Sequence, residues 1–441
     1  MKKSGFALAG IILAAILYYF TVGSSQLAEE MKQQVDKELA TMQQNGFGIK
    51  ERKVREKDEH FVISFDDTGK ITNYLNKNAA DITPEEMAAM QGLKVGVDIA
   101  YLKDTYSAVS VDIYPIALPE EIRQSTNPEE KAAIAHLTKM MAEKKLLVHL
   151  DFNKLLNSFK GYVKDINETF EDEVPVTMVM RGFTFKGDVE DEKLKHVQQS
   201  LTRLSLQAEN LLYASLSDVT SSYLHTGSSL YDTRSQYHIG TLEIKESNLT
   251  SMKLKAVEGE LSNHIKDGLL RSEIRTKADS MEVQEAGEHY TMHQIAFDFI
   301  VENLDAEALE KLQTTDPQDE KTILALSQRM ISKGIAMHIP DFSVQRIEKG
   351  KQRMEGFTFN SSLQIDRGYR LEESRENPLA IIGALSGKST LTVSGELFAM
   401  IAQDPRSMML VMFFPPLEKE GKKRYEITLE RGRLVVNGKK L

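Results

Sequence analysis

The stretch YTMHQIAFDFIVENL, residues 290–304, decides the fold. Ile295, Phe297, Phe299 and Val301 fall on one parity, and Ala296, Asp298 and Glu302 fall on the other. Period-two alternation of this kind builds a strand with one covered face and one wet face, which is the habit of antiparallel sheet. GFTFNSSLQID (356–366) repeats the pattern with Phe357, Phe359, Leu363 and Ile365. The closing KRYEITLERGRLVVNGKKL (423–441) reads as a hairpin that turns near Gly432.

Helices punctuate these strands. Thr83-Pro84-Glu85-Glu86 combines a capping residue, a proline at the first helical position and an acid three residues on. Asn127-Pro128 and Asp316-Pro317 start two more helices, the second stopping at Gly334. A short helix follows in NLDAEALEKLQ (303–313). Sliding the chain by 189 residues lays Pro128 on Pro317 and gives seven identities between 126–150 and 315–339, His149 on His338 among them. GFTF then follows in both halves, at 182–185 and 356–359. The pattern predicts a duplicated helix-strand-strand unit with Phe183, Phe185, Phe357 and Phe359 facing its core.

The composition excludes several functions. With 41% hydrophobic and 27% charged residues the chain folds, and a net charge of −10 speaks against nucleic acid as a partner. No cysteine is present, so disulfides, thiolate metal sites and a cysteine nucleophile are absent.

Lys2 and Lys3 precede an apolar run from Phe6 to Val22 that contains Ile11, Ile12, Leu13, Ile16, Leu17, Tyr18, Tyr19 and Phe20. As a helix it reaches about 26 Å, enough for a bilayer core. The lysines keep the N-terminus cytoplasmic and send the body across the membrane. A cleaved signal peptide competes with an uncleaved anchor. The anchor is preferred because the run is long and no Ala-x-Ala site follows it. Leu27, Met31, Val35, Leu39 and Met42 then trace one apolar stripe on a charged helix, which predicts a stalk that packs on its own domain or makes a short coiled contact. The expected organisation is an anchor over 1–24, a stalk over 25–45, and β-rich regions over 46–310 and 311–441. The fold class is α+β: a transmembrane helix, then antiparallel, curved β-sheets with a few capped helices.

Chemistry is sparse. His289 and His293 lie four apart in a strand, which does not suit a metal. GALSGKST (383–390) lacks the first glycine of a phosphate loop and runs into strand. No catalytic, cofactor-binding or metal residues are assigned, and no cofactor is expected. SMMLVMFFPP (407–416) reads as a core element or as the lining of an apolar trough.

The order of these segments carries a resemblance. YHIGTLEIKESNLTSMKLKAVEGELSNHIKDGLLRSEIRTKADSMEVQ (237–284), HQIAFDFIVENLDAEALEKL (293–312), GIAMHIPDFSVQRIEKGKQRMEGFTFNSSLQI (334–365) and the closing Gly-x-Leu-x-Val-Asn-Gly resemble the YdgA-like family of bacterial envelope proteins. The resemblance implies a Gram-negative inner-membrane anchor with a periplasmic body, and it transfers no catalytic residues. Three functions are expected in order: a non-catalytic envelope scaffold acting with a protein partner or as a homo-oligomer, a carrier of lipid or another hydrophobic ligand on an apolar trough, and a periplasmic hydrolase. A continuous apolar groove favours the carrier. A concave polar pocket holding a histidine and two acids favours the enzyme.

Overall fold

The computed structural model describes residues 28–77, 83–101, 106–124, 128–170, 174–190, 193–209, 211–227, 229, 231–246, 250–315, 319–377, 379–403 and 411–440. The expected anchor, including Phe6, Ile11, Ile12, Leu13, Ile16, Leu17, Tyr18, Tyr19 and Phe20, lies outside these residues. Among the described residues no helix is long and apolar enough to cross a membrane. The chain is mostly antiparallel sheet, with 59% strand, and it divides into two compact units at Leu224/His225. The division expected at 310/311 falls inside one sheet, because the strands on either side of it pair with each other.

The first unit opens with α1 (Ala28–Gln44), then β1 (Phe47–Val54) and β2 (Asp58–Phe65). Next come α2 (Thr68–Lys77), α3 (Pro84–Ala88), β3 (Lys94–Tyr101) and β4 (Ser107–Ala117). After α4 (Glu120–Arg123) and α5 (Pro128–Ala142) follow β5 (Val148–Asn153), β6 (Ser158–Val163), β7 (Ile166–Phe170), β8 (Val176–Arg181), β9 (Thr184–Glu190), β10 (Lys193–Ala208) and β11 (Leu212–His225). The order across the sheet is β1-β2-β3-β4-β5-β6-β9-β10-β11, with β8 pairing the far half of β10 and β7 pairing β8. The inner face carries Phe61, Val97, Val111, Leu150, Phe159 and Phe185, under Leu39, Ile71 and Met87 from the three N-terminal helices.

Helix α1 is the expected stalk, and it packs on its own domain. Leu39 and Met42 are buried in the core. Arg52 then ties the helix to the sheet, bonding Asp36 on α1 and, at 2.6 Å, the buried Glu59 on β2. The capping box at Thr83 forms as its sequence demands: Glu86 N donates to Thr83 Oγ1 at 3.2 Å, and Thr83 N donates to Glu86 Oε2 at 3.0 Å.

The second unit is a meander of β12 (Thr233–Glu246), β13 (Thr250–Lys266), β14 (Leu269–Glu285), β15 (Glu288–Asp305), β16 (Ala336–Lys349), β17 (Gln352–Ile365) and β18 (Leu385–Ser394), each antiparallel to the next. Helices α6 (Ala306–Thr314) and α7 (Glu320–Ile331) connect β15 to β16. Helices α8 (Leu371–Glu376) and α9 (Ala380–Ala384) connect β17 to β18, and α10 (Gly395–Ile401) follows β18. Three of the remaining strands, β19 (Leu417–Lys419), β20 (Lys422–Glu430) and β21 (Arg433–Val436), extend the sheet beside β18, and β22 (Lys439–Lys440) pairs with β21. The sheet is open, with no pairing that closes it among the described residues.

Helix α7 starts three residues later than its Asp316-Pro317 signal suggests. Asp319 is the N-cap, its side chain accepting from Thr322 N at 3.0 Å. Asp305 caps α6, accepting from Ala308 N at 2.9 Å, and the same buried carboxylate takes Arg329 Nε of α7 at 2.9 Å. One charge therefore holds both helices against the end of β15.

The repeat survives in part. In both units a helix lies between two antiparallel neighbours: α5 between β4 and β5, and α7, after α6, between β15 and β16. The repeated histidines each face an acid on the preceding strand. His149 Nδ1 lies 2.5 Å from Asp112 Oδ1, whereas His338 Nε2 lies 3.9 Å from Glu302 Oε2. The two GFTF strands are not equivalent, because β17 pairs directly with β16 while β9 is one strand removed from β5.

The His149 imidazole sits between Asp112 and Asp151, with its side chain only 10% exposed. The hydrogen bond to Asp112 raises its pKa above the ordinary 6.5, against the opposing effect of burial. A raised folded pKa gives stability that is complete below the unfolded value and is lost as pH rises through the folded one. The melting temperature of the wild type should therefore exceed that of His149→Asn most at about pH 6, and the gap should narrow by about pH 8.5. A gap independent of pH would contradict the paired imidazolium.

Candidate functional site

The second unit presents one apolar sheet face. One row of cross-strand partners reads Ile239, Val257, Ala278, Ile295, Val344, Phe357. A second row reads Leu242, Leu254, Met281, Met292, Ile347, Met354. In every one of these strands the two rows are three residues apart, not two: 239 and 242, 254 and 257, 278 and 281, 292 and 295, 344 and 347, 354 and 357. Plain alternation would put them on opposite faces. They share one face, because Met292, Ile295, Val344, Ile347, Met354 and Phe357 pack into a single cluster.

The backbone explains the slip. Between the rows lies a line of positions across the sheet: Gly240, Ala256, Asp279, Gln294, Gln345 and Gly356. Ala256 has φ 49° and Gln294 has φ 52°, left-handed values that turn the chain over by one residue. Each strand carries the extra residue at the same row, so the register on both sides is kept. At Gly356 a Cβ would meet the Val344 carbonyl oxygen at 1.9 Å, so only glycine fits there. The result is a crease that keeps the apolar residues on one side. The first unit uses the same device at Gly182 (φ 66°), Thr202 and Asp218 (φ 54°). GFTF thus marks a strand crossing a crease: the glycine sits in it and the phenylalanines are the first apolar rungs beyond.

The four phenylalanines differ in burial. Phe185 is buried, and Phe183, Phe357 and Phe359 are half-buried. Phe357 belongs to an aromatic ladder. Its ring centroid lies 5.2 Å from that of Phe342, Phe342 lies 5.8 Å from Phe297, and Phe297 stacks on Phe299 at 6.4 Å. Most of this face is only half-covered. Phe342 is 36% exposed, and Tyr237, Ile239, Val257, Phe297 and Phe299 are half-buried. Near β16–β18 a compact core forms, in which Leu397 of α10 packs with Val344 and Val393. The apolar rows cross about 24 Å of sheet, five spacings of ~4.8 Å. A monomeric protein rarely leaves an apolar patch above a few hundred Å² uncovered unless it binds something.

The opposite face is charged. Gln236, Glu260, Arg275, Asp298 and Asp341 form one row there. Burial, followed by the charge of Asp341, raises the Asp298 carboxyl above its ordinary value. The two faces therefore differ sharply in what they can hold.

His289 and His293 lie in β15 as expected, and His293 faces Glu348 at 3.6 Å. Gly383 and Ala384 end α9 and residues 385–390 lie in β18, so GALSGKST is a helix end running into strand and not a phosphate loop. Residues 407–410 of SMMLVMFFPP lie outside the described residues, while Met412 and Phe413 are 77% and 70% exposed, which is not core. Among the described residues no group of three or more His, Asp or Glu is placed to hold a metal ion. Sequence reasoning missed the crease. Its signal was present, as a slip of apolar spacing from two to three in consecutive strands. No protein-family model, no curated protein and no solved structure matches the chain.

Proposed function

We propose that the chain is a carrier of lipid or a similar long apolar ligand, held on the apolar face of the second unit. One observation supports this above the scaffold reading: the apolar rows continue through a crease across six strands, and eight of their twelve residues are only half-buried, the buried ones being Ala278, Val344, Ile347 and Met354. Burying one methylene is worth ~0.8 kcal/mol, so ten methylenes gain roughly 8 kcal/mol before ordering costs. A small apolar solute would gain a fraction of that, so an acyl chain suits the face better. The apolar run of 6–22 and the YdgA-like pattern support a membrane-anchored periplasmic location, where acyl chains are at hand. The exposed Met412 and Phe413 favour a second reading, a docking contact with another envelope protein.

The test is gentle purification of the full chain, native mass spectrometry, then organic extraction. Lipid in about equal proportion to protein is expected. A clean apoprotein mass under the same conditions would set the carrier aside and bring the scaffold forward.

A further inference from the structure

The wet face of the first unit carries a polar row that the carrier function does not use. Lys53, His60, Asp98, Asp112 and His149 are successive cross-strand partners on β1 to β5. All five line one pocket of about 380 Å³. Most of its polar atoms are already engaged. Asp98 accepts from Lys144 Nζ at 2.8 Å and faces His60 Nδ1 at 2.6 Å. Burial alone would raise its pKa, but the bonds from Lys144, His60 and Tyr114 hold it below the ordinary carboxylate range. His149 is taken up by Asp112 and Asp151 on its two nitrogens.

Three groups remain unclaimed by any described residue: the Lys53 ammonium, His60 Nε2 and the second oxygen of Asp112. They are segregated by sign. The cation and the imidazole stand on β1 and β2, and Arg55, whose guanidinium also lies 3.5 Å from Asp58, joins them at the rim. The open carboxylate oxygen stands on β4. Side chains rise roughly perpendicular to a sheet. His60 and Asp112 are two strands apart, about 10 Å, and two hydrogen bonds of ~2.8 Å leave roughly 4–5 Å for a ligand between them. That suits an anion and an ammonium separated by two carbons. The anion meets the Lys53 ammonium and the forked Arg55 guanidinium beside the His60 ring, which matches a phosphate with three accessible oxygens better than a planar carboxylate with two.

We propose that this pocket binds a zwitterionic phosphoamine, with its phosphate toward Lys53 and His60 and its ammonium on Asp112. The same chemistry occurs in free O-phosphoethanolamine and in a lipid headgroup.

Equilibrium dialysis of the full chain against labelled O-phosphoethanolamine tests it. One molecule should bind per chain, with ethanolamine and inorganic phosphate competing at least tenfold more weakly. Lys53→Gln removes a side chain with no partner among the described residues and should leave the melting temperature unchanged while weakening binding at least tenfold. Asp112→Asn should reduce the affinity to that of phosphate alone. Vesicles of phosphatidylethanolamine, set against phosphatidylcholine, distinguish the source. Capture that depends on Lys53 with no binding of the soluble compound assigns the headgroup, and binding of the soluble compound assigns the free phosphoamine. Absence of saturable binding to both, or binding unaffected by Lys53→Gln, would overturn the proposal.

Discussion

Phe297→Asp should strip bound lipid from the chain, lowering the extracted amount at least tenfold while the protein stays folded. Phe297 stands mid-ladder, between Phe299 and Phe342, and is itself half-exposed. Solvent reaches the new carboxylate in the empty protein, so folding loses mainly the aromatic contacts. A bound acyl chain would cover that carboxylate, and burying an unpaired charge costs several kcal/mol. At 1.4 kcal/mol per tenfold, a loss of two or more decades in affinity follows. The matching control is Ala296→Asp, one residue away on the charged face and opposite Lys277. It should leave the lipid content unchanged. Equal lipid in wild type and Phe297→Asp would remove the apolar face as the site.

Gly356→Val should give the largest loss of stability of any crease substitution. The nearest atoms to a Cβ at this position are the Val344 carbonyl oxygen at 1.9 Å and carbon at 2.7 Å, both backbone atoms of a paired strand. Flexible side chains can move aside, and a central strand cannot without breaking its ladder. The cost is roughly 3 kcal/mol or more, about 6–12 °C in melting temperature for a unit of this size. Gly383→Ala is the control, since a Cβ there meets nothing within 4 Å. Its melting temperature should hold or rise slightly, as replacing a helical glycine favours the fold. A Gly356→Val protein that melts with the wild type would mean that the crease is not a fixed feature of the sheet.

Local signals were legible where one residue determines its own neighbourhood. The alternation of Ile295, Phe297, Phe299 and Val301 became a one-sided strand. Thr83 and Glu86 closed their capping box. Gly334 followed the end of α7 with φ 75°, and Arg431-Gly432 made the hairpin turn between β20 and β21 with φ 48° and 78°. The described part of the expected stalk became a helix over 28–44 packed on its own unit. What escaped was set by partners far along the chain. The division at 224/225 depends on which strands pair, and β15 pairs with β16 across two helices. The match between the GFTF segments suggested one repeated strand, yet the first unit inserts three strands before its copy, one of which, β6, separates β5 from β9 in the sheet. What the two copies share is a backbone requirement: a glycine where the strand turns over. The polar pocket escaped for the same reason. His60, Asp98, Asp112 and His149 are scattered through 90 residues of sequence and meet only because three strand registers align them.

The central claim is a lipid-binding face that keeps its side through the crease. A photoreactive benzophenone side chain placed singly at each position from 290 to 301 tests it most directly, with cross-linked lipid as the signal. Cross-linking is predicted at 290, 292, 295, 297 and 299 and not at 291, 293, 296 or 298, a period of two interrupted once by a step of three. Cross-linking on both faces, on the charged face alone, or at no position would contradict the account.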